Sequence, residues 1–184
     1  IIAKANIIAA NQNLQPPKQI SLGLQLKQLD LSKTNEVGFQ ALVWEVGDKD
    51  AAIEIGISNN IAIRSEEINK IIDGKKQKSL WSFSGRIGTA EDYSRYPFSI
   101  KYVRIGLQAK HLKTPSIFTV DPSILKINEH LWLDKNFKHL GYSLMSARIT
   151  SDIDNNATTR SVANSLTNTV NFTLAFREAL ASAT

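Results

Sequence analysis

Apolar and polar residues alternate along most of the chain. Ile20, Leu22, Leu24 and Leu26 interleave with Ser21, Gly23, Gln25 and Lys27, the period of two that marks a half-buried strand. Val37–Val46 repeats the pattern, with Phe39, Ala41, Val43 and Glu45 on one side and Gln40, Leu42, Trp44 and Val46 on the other. Ile53, Ile55 and Ile57 share a face of the run from Ala51 to Ile57. Trp81, Phe83, Gly85 and Ile87 alternate with Ser82, Ser84 and Arg86, and Val103, Ile105 and Leu107 with Tyr102, Arg104 and Gly106. Tyr142–Ile149 is a further strand candidate, and Val170, Phe172, Leu174 and Phe176 close the series. Turn chemistry separates the runs: "DLSKTNE" from Asp30 to Glu36, "GDKD" from Gly47 to Asp50, and "TSDIDNN" from Thr150 to Asn156.

Helical signals occur at two places. In "IIAKANIIAANQN", from Ile1 to Asn13, Ile1, Ile7 and Ile8 are set to form one face, and Pro16-Pro17 is set to end the helix. Further on, Ser65 precedes Glu66 and Glu67 like an N-cap, Ile68, Ile71 and Ile72 follow at helical spacing, and Gly74 stands where a helix would stop. Many short alternating segments with one or two short helices predict an all-β fold, an antiparallel β-sandwich of immunoglobulin-like type or a barrel. Trp44, Trp81, Phe83, Phe172 and Phe176 are expected in the core or over it.

The chain has 184 residues, enough for one domain that buries roughly 70% of its unfolded surface without a metal or disulfide. Its net charge of +5 would suit an anionic partner, but the cations are scattered. The densest run, Lys75-Lys76-Gln77-Lys78, follows Gly74 like a solvated turn, and no nucleic-acid-binding motif accompanies it, so no nucleic-acid partner is expected. The absence of cysteine excludes a thiol nucleophile and a thiolate metal site. No apolar stretch reaches the ~20 residues of a membrane span. The Ile- and Ala-rich opening, residues 1–17, is expected to continue from a preceding membrane helix, with a sandwich domain over 18–180.

Catalytic constellations are missing from the pattern. His111, His130 and His139 fall in no metal-binding spacing, and there is neither a Gly-x-Ser-x-Gly elbow nor a glycine-rich phosphate loop. "DIDNN" lacks the glycine and the terminal glutamate of an EF-hand. A non-enzymatic protein with no cofactor and no metal is the expectation.

The segment "DYSRYPFSIKYVRIGL", Asp92–Leu107, divides into a turn fixed by Pro97 and anchored by Phe98, then a strand with Val103, Ile105 and Leu107 inward. Together with "ISLGLQLKQLDLSKTNEVGFQALVWEV", where Leu29-Asp30 and Trp44 sit at the turn and the second strand, it resembles the extracellular ligand-binding domain of pentameric ligand-gated channels. Tyr96-Pro97-Phe98 matches that family's turn, Ser99 replaces its Asp, and "VNFTLAFREAL" resembles the strand that leads to the membrane, with only Arg177 of the usual basic pair. The same pattern is similar to extracytoplasmic sensor domains of bacterial membrane signalling proteins.

The resemblance implies a ligand-sensing domain on the periplasmic or extracellular side of a membrane-anchored signal transducer. Membrane spans would flank it, its ligand would be a small anion or amine, and it would assemble as a homo-oligomer. The alternative it implies is the ectodomain of a prokaryotic pentameric channel; a secreted enzyme on a sandwich scaffold is more distant. Tyr102, Arg104, Trp132, Tyr142 and Arg148, at strand ends, are the candidate ligand contacts. Arg104 and Arg148 fall opposite the apolar face, where they either bind an anion or are solvated outer-face residues.

Overall fold

The computed structural model describes residues 1–33, 35–49, 54–58, 60–92, 100–111, 115–120, 132–133, 137–146, 150–152 and 165–178. Its elements begin with α1 (Ile2–Asn11), β1 (Lys18–Asp30), β2 (Glu36–Asp48), β3 (Glu54–Ile57), β4 (Asn60–Asp73) and β5 (Lys76–Gly88). They continue with β6 (Ala90–Asp92), β7 (Ile100–His111), β8 (Ser116–Val120), β9 (Trp132–Leu133) and β10 (Phe137–Ser146). β11 (Thr150–Asp152), β12 (Ser165–Thr167) and β13 (Val170–Glu178) complete the order. The Tyr-Pro-Phe turn, Arg148 and most of "TSDIDNN" lie outside the described residues.

Two sheets face each other across one apolar core, as the alternation predicts. One runs β4-β5-β2-β1-β8, with β9 also paired to β1, and the other runs β10-β13-β7-β3, with β6 also paired to β7. β11 and β12 form a separate ladder. The inward rows are those read from the sequence: Ile20, Leu22, Leu24 and Leu26 on β1 meet Val103, Ile105 and Leu107 on β7 and Phe172, Leu174 and Phe176 on β13 in a single buried cluster. Phe39, Ala41 and Val43 supply the β2 row, so Trp44 falls on the outer row and is half-buried instead of joining the core.

The antiparallel expectation holds for most pairs, but β1 runs parallel to β8 and to β9. Both strands return to the first sheet after the chain has crossed to the second. Their direction is therefore set by a crossover and not by a hairpin. Asn168 secures the returning strand: Phe118 donates its backbone N–H to the Asn168 carboxamide oxygen at 2.7 Å, and the carboxamide nitrogen donates to the Phe118 carbonyl at 2.9 Å.

The helix expected after Ser65 is instead the edge strand β4, paired with β5 from Asn60 to Asp73. Register shifts between Asn60 and Ala62 and between Glu67 and Asn69 break the period of two, so its isoleucines take a helix-like spacing without forming a helix. Gly74 does not stop a helix; it opens the two-residue turn Gly74-Lys75 with a φ of 59°, the left-handed value such hairpin turns require.

The N-terminal helix forms, but on a different face. Ala5 and Ala9 are the buried pair, while Ile1 and Ile7 are exposed. It ends at Asn11, ahead of the prolines. Asn13 adopts a φ of 53°, and Leu14 donates its backbone N–H to the Ala9 carbonyl, a left-handed cap of the kind asparagine tolerates.

Candidate functional site

β3 and β4 are edge strands of opposite sheets, and a cavity of about 220 Å³ opens at the seam between them. Ile55, Gly56 and Ile57 of β3 form one wall, Ile63 and Ser65 of β4 with Phe83 of β5 the other, and Gln108 of β7 joins the lining. Register shifts lie close by in both edge strands, between Glu54 and Ile55 and between Asn60 and Ala62. Bulges at sheet edges re-aim side chains and locally increase twist. The lining is polar and apolar in about equal parts, with the Ser65 hydroxyl and the Gln108 carboxamide as its hydrogen-bonding side chains. The volume lies below the roughly 300–1,000 Å³ of pockets for drug-sized ligands, so it suits a smaller molecule.

One pair beyond the cavity, the inner row of the first sheet turns polar. Ser65 stands opposite Phe83, and Glu67 opposite Trp81, with Val43 on the far side of Trp81. Glu45, two residues further along β2, is buried at 5% exposure, and Trp81 donates its indole Nε1–H to Glu45 Oε2 at 3.2 Å. Burial pushes the Glu45 carboxyl up to about 7; the Trp81 hydrogen bond opposes the rise, the Glu67 charge adds to it, and the Lys70 charge opposes it. Glu45 is not in the cavity lining; it stands two inner-row pairs from Phe83, with Trp81 between.

A second polar group ties the sheets together. Lys101 of β7, 5% exposed, points its ammonium into the turn between β1 and β2, donating to the Leu31 carbonyl at 3.1 Å and to the Lys33 carbonyl. At the same turn Asp30 accepts the Ser32 N–H at 3.0 Å, and hydrogen bonds from Ser32 lead the causes that lower its pKa.

The residues expected to contact ligand do not converge on this cavity. Tyr102 and Arg104 lie on the outer face of β7, exposed, paired with Ala175 and Thr173 of β13. Tyr142 on β10 is paired with Leu174. Trp132 belongs to β9 in the other sheet, opposite Gln28. Arg148 lies outside the described residues. Tyr102 and Arg104 are therefore neighbours on one face, while Trp132 is on a different sheet. Glu45 and Lys101 were legible as charged residues in otherwise apolar inward rows; the cavity was not, because its walls come from residues far apart in the chain.

No family model matches the chain, and no curated protein matches it. Among the described residues no group of three or more His, Asp or Glu is placed to hold a metal ion, and no helix is long and apolar enough to cross a membrane.

Proposed function

We propose that this sandwich is the ligand-sensing domain of a membrane-anchored signal transducer, and that its ligand enters the seam between β3 and β4. The reading rests on the cavity of about 220 Å³, whose walls come from both sheets. A molecule held there touches two sheets at once, so its affinity depends on their spacing. A ligand shifts a two-state equilibrium only by its differential affinity for the two states, and an inter-sheet site supplies that difference. β7 carries both Gln108 at the cavity and Lys101 at the β1–β2 turn, which gives a movement of the second sheet a route to the first. The lining, polar and apolar in about equal parts, favours a small amphipathic ligand with hydrogen-bonding groups beside an apolar part. Arg104 is not in that lining, so an anion is not required.

A thermal-shift screen against small amines, amino acids, organic acids and neutral alcohols or amides tests the reading. At least one compound should raise the melting temperature in a dose-dependent way. Ser65→Leu, which fills the cavity, should weaken that compound's binding at least tenfold and leave the fold intact by circular dichroism. Stabilisation that survives Ser65→Leu unchanged would move the ligand elsewhere, and no stabilisation by any class would remove the reading.

A further inference from the structure

The exposed apolar surface is concentrated on one strand. Of the seven large hydrophobic side chains exposed among the described residues, Ile61, Ile68, Ile71 and Ile72 all belong to β4. β4 ends its sheet, pairs with β5 along one edge, and has no strand paired to its other edge among the described residues. A long edge strand is a template for another strand, and proteins that do not use such an edge blunt it with proline, with short length, with bulges or with charged side chains, which repel a partner unless opposite signs meet across the new pairing. β4 has 14 residues and no proline, and it carries both signs: Arg64 and Lys70 against Glu66, Glu67 and Asp73.

We propose that β4 pairs antiparallel with β4 of a second copy of this chain, joining two sheets into one across a two-fold axis beside Ile68 and Asn69. In this register Arg64 faces Asp73 of the second copy and Glu67 faces Lys70. The symmetry repeats both contacts, so opposite charges meet at four places. Ser65 then faces Ile72, and Glu66 faces Ile71.

The bulge makes the register possible. Residues paired across an antiparallel ladder share a face of the sheet. Ser65 and Glu67 stand opposite Phe83 and Trp81, on the inner row of β5. After the register shift between Glu67 and Asn69, Lys70 and Ile72 stand opposite Ser79 and Gln77, in that same row. Arg64 and Glu66 stand opposite Ser84 and Ser82, and Ile71 and Asp73 opposite Lys78 and Lys76, in the outer row. The four pairs flanking the axis therefore each join inner to inner or outer to outer. An unbulged strand would put each of these partners on opposite faces.

The hydrogen-bonding phase agrees. The turn closes on the Asp73–Lys76 pair, and alternation from that pair turns the backbone groups of Ile72, Lys70, Glu67 and Ser65 towards the open edge. These are the residues that pair with one another in the register. The contact is isologous and closes at two copies. A contact along one strand is small beside a standard interface, so the dimer is weak and reversible.

Sedimentation velocity on the whole chain should show a concentration-dependent shift from monomer at about 1 μM to dimer near 1 mM, the range expected of a small interface. Glu67→Lys and Lys70→Glu, each alone, should weaken dimerisation at least tenfold, since each sets like charges opposite one another. Both residues are exposed, so each variant should keep the native fold by circular dichroism, although each reverses a charge that acts on Glu45. The double variant carrying both changes should recover the native affinity, and an equimolar mixture of the two single variants should form a heterodimer. Because the chain has no cysteine, Ile68→Cys should give a disulfide-linked dimer on mild oxidation. A chain that stays monomeric at 1 mM, single variants that dimerise like the native chain, or a double variant that fails to recover would each overturn the proposal. The test involves no small ligand, so its outcome is separate from that of the cavity.

Discussion

Trp81 and Glu45 stand on neighbouring strands of the inner face, and the indole Nε1–H reaches the carboxylate at 3.2 Å. The contact satisfies one oxygen of an acid that burial holds near neutrality, its pKa raised from 4.5 to about 7. The folded chain therefore keeps this proton over a range in which the unfolded chain has released it. Stability falls as pH rises from about 4.5 to about 7 and levels off above, because the folded state binds more protons between those limits. Glu45→Gln keeps an acceptor for Trp81 and removes the titration. The variant should lose this pH dependence in denaturant melts and exceed the native chain above pH 7 by on the order of 3 kcal/mol. Equal slopes for the two proteins between pH 4.5 and 7 would contradict the assignment.

Gly85 is a site of steric necessity. Its φ is 146°, and a Cβ built on it would lie 2.0 Å from the Ala62 carbonyl oxygen, across from the register shift between Asn60 and Ala62. Gly85→Ala must move the β4 backbone as well as adopt an unfavourable dihedral, so it should cost at least about 3 kcal/mol and lower the urea midpoint. Ser84→Ala, on the outer row next to it, should stay within about 0.5 kcal/mol of the native chain.

Most of the core was legible because an uninterrupted strand states its inward face in every second letter. Ile20 to Leu26, Val103 to Leu107 and Val170 to Phe176 each kept the period and each is buried as read. The reading failed where a bulge broke the count. In β4 the shift after Glu67 put Ile68, Ile71 and Ile72 at helical spacing, and Ser65-Glu66-Glu67 looked like a capped first turn. Gly74, preceded by Ile71-Ile72-Asp73, was the countervailing turn signal, and the hairpin turn centres on Gly74-Lys75. Parallel pairing of β1 with β8 had no local signature at all, because it joins segments almost a hundred residues apart. The candidate contacts were chosen from aromatic and arginine content at strand ends. Such content does not tell which sheet or which row a residue will occupy.

Lys101 gives a test of how the two sheets communicate. Its buried ammonium donates to the carbonyls of Leu31 and Lys33, so the β1–β2 turn is held by a residue of the opposite sheet. Lys101→Met retains most of the stem and removes these donors, and should cost about 1–3 kcal/mol. Hydrogen exchange should localise the effect, with faster exchange at the β1–β2 turn than in the β10–β13 ladder. Uniform acceleration across both sheets would show instead that Lys101 supports only global stability.

Asn168 does for β8 what a neighbouring strand would do. Its carboxamide accepts from the Phe118 N–H and donates to the Phe118 carbonyl, and the residue is only 2% exposed. Removing it leaves a buried donor and a buried acceptor, each costing about 1–3 kcal/mol, so Asn168→Ala should destabilise by about 2–6 kcal/mol. Asn168→Asp separates the two bonds. A carboxylate still accepts from the N–H but places a negative charge against the Phe118 carbonyl, whereas the protonated acid can donate to it. Its pKa in the folded variant should therefore lie above that of an unfolded aspartate. The folded variant then binds more protons, so its stability should fall as pH rises through that window and be greatest in acid. The Ala variant has no such group and should show no added pH dependence. If the Asp and Ala variants melt alike at every pH from 4 to 8, the two-bond role of this side chain is wrong.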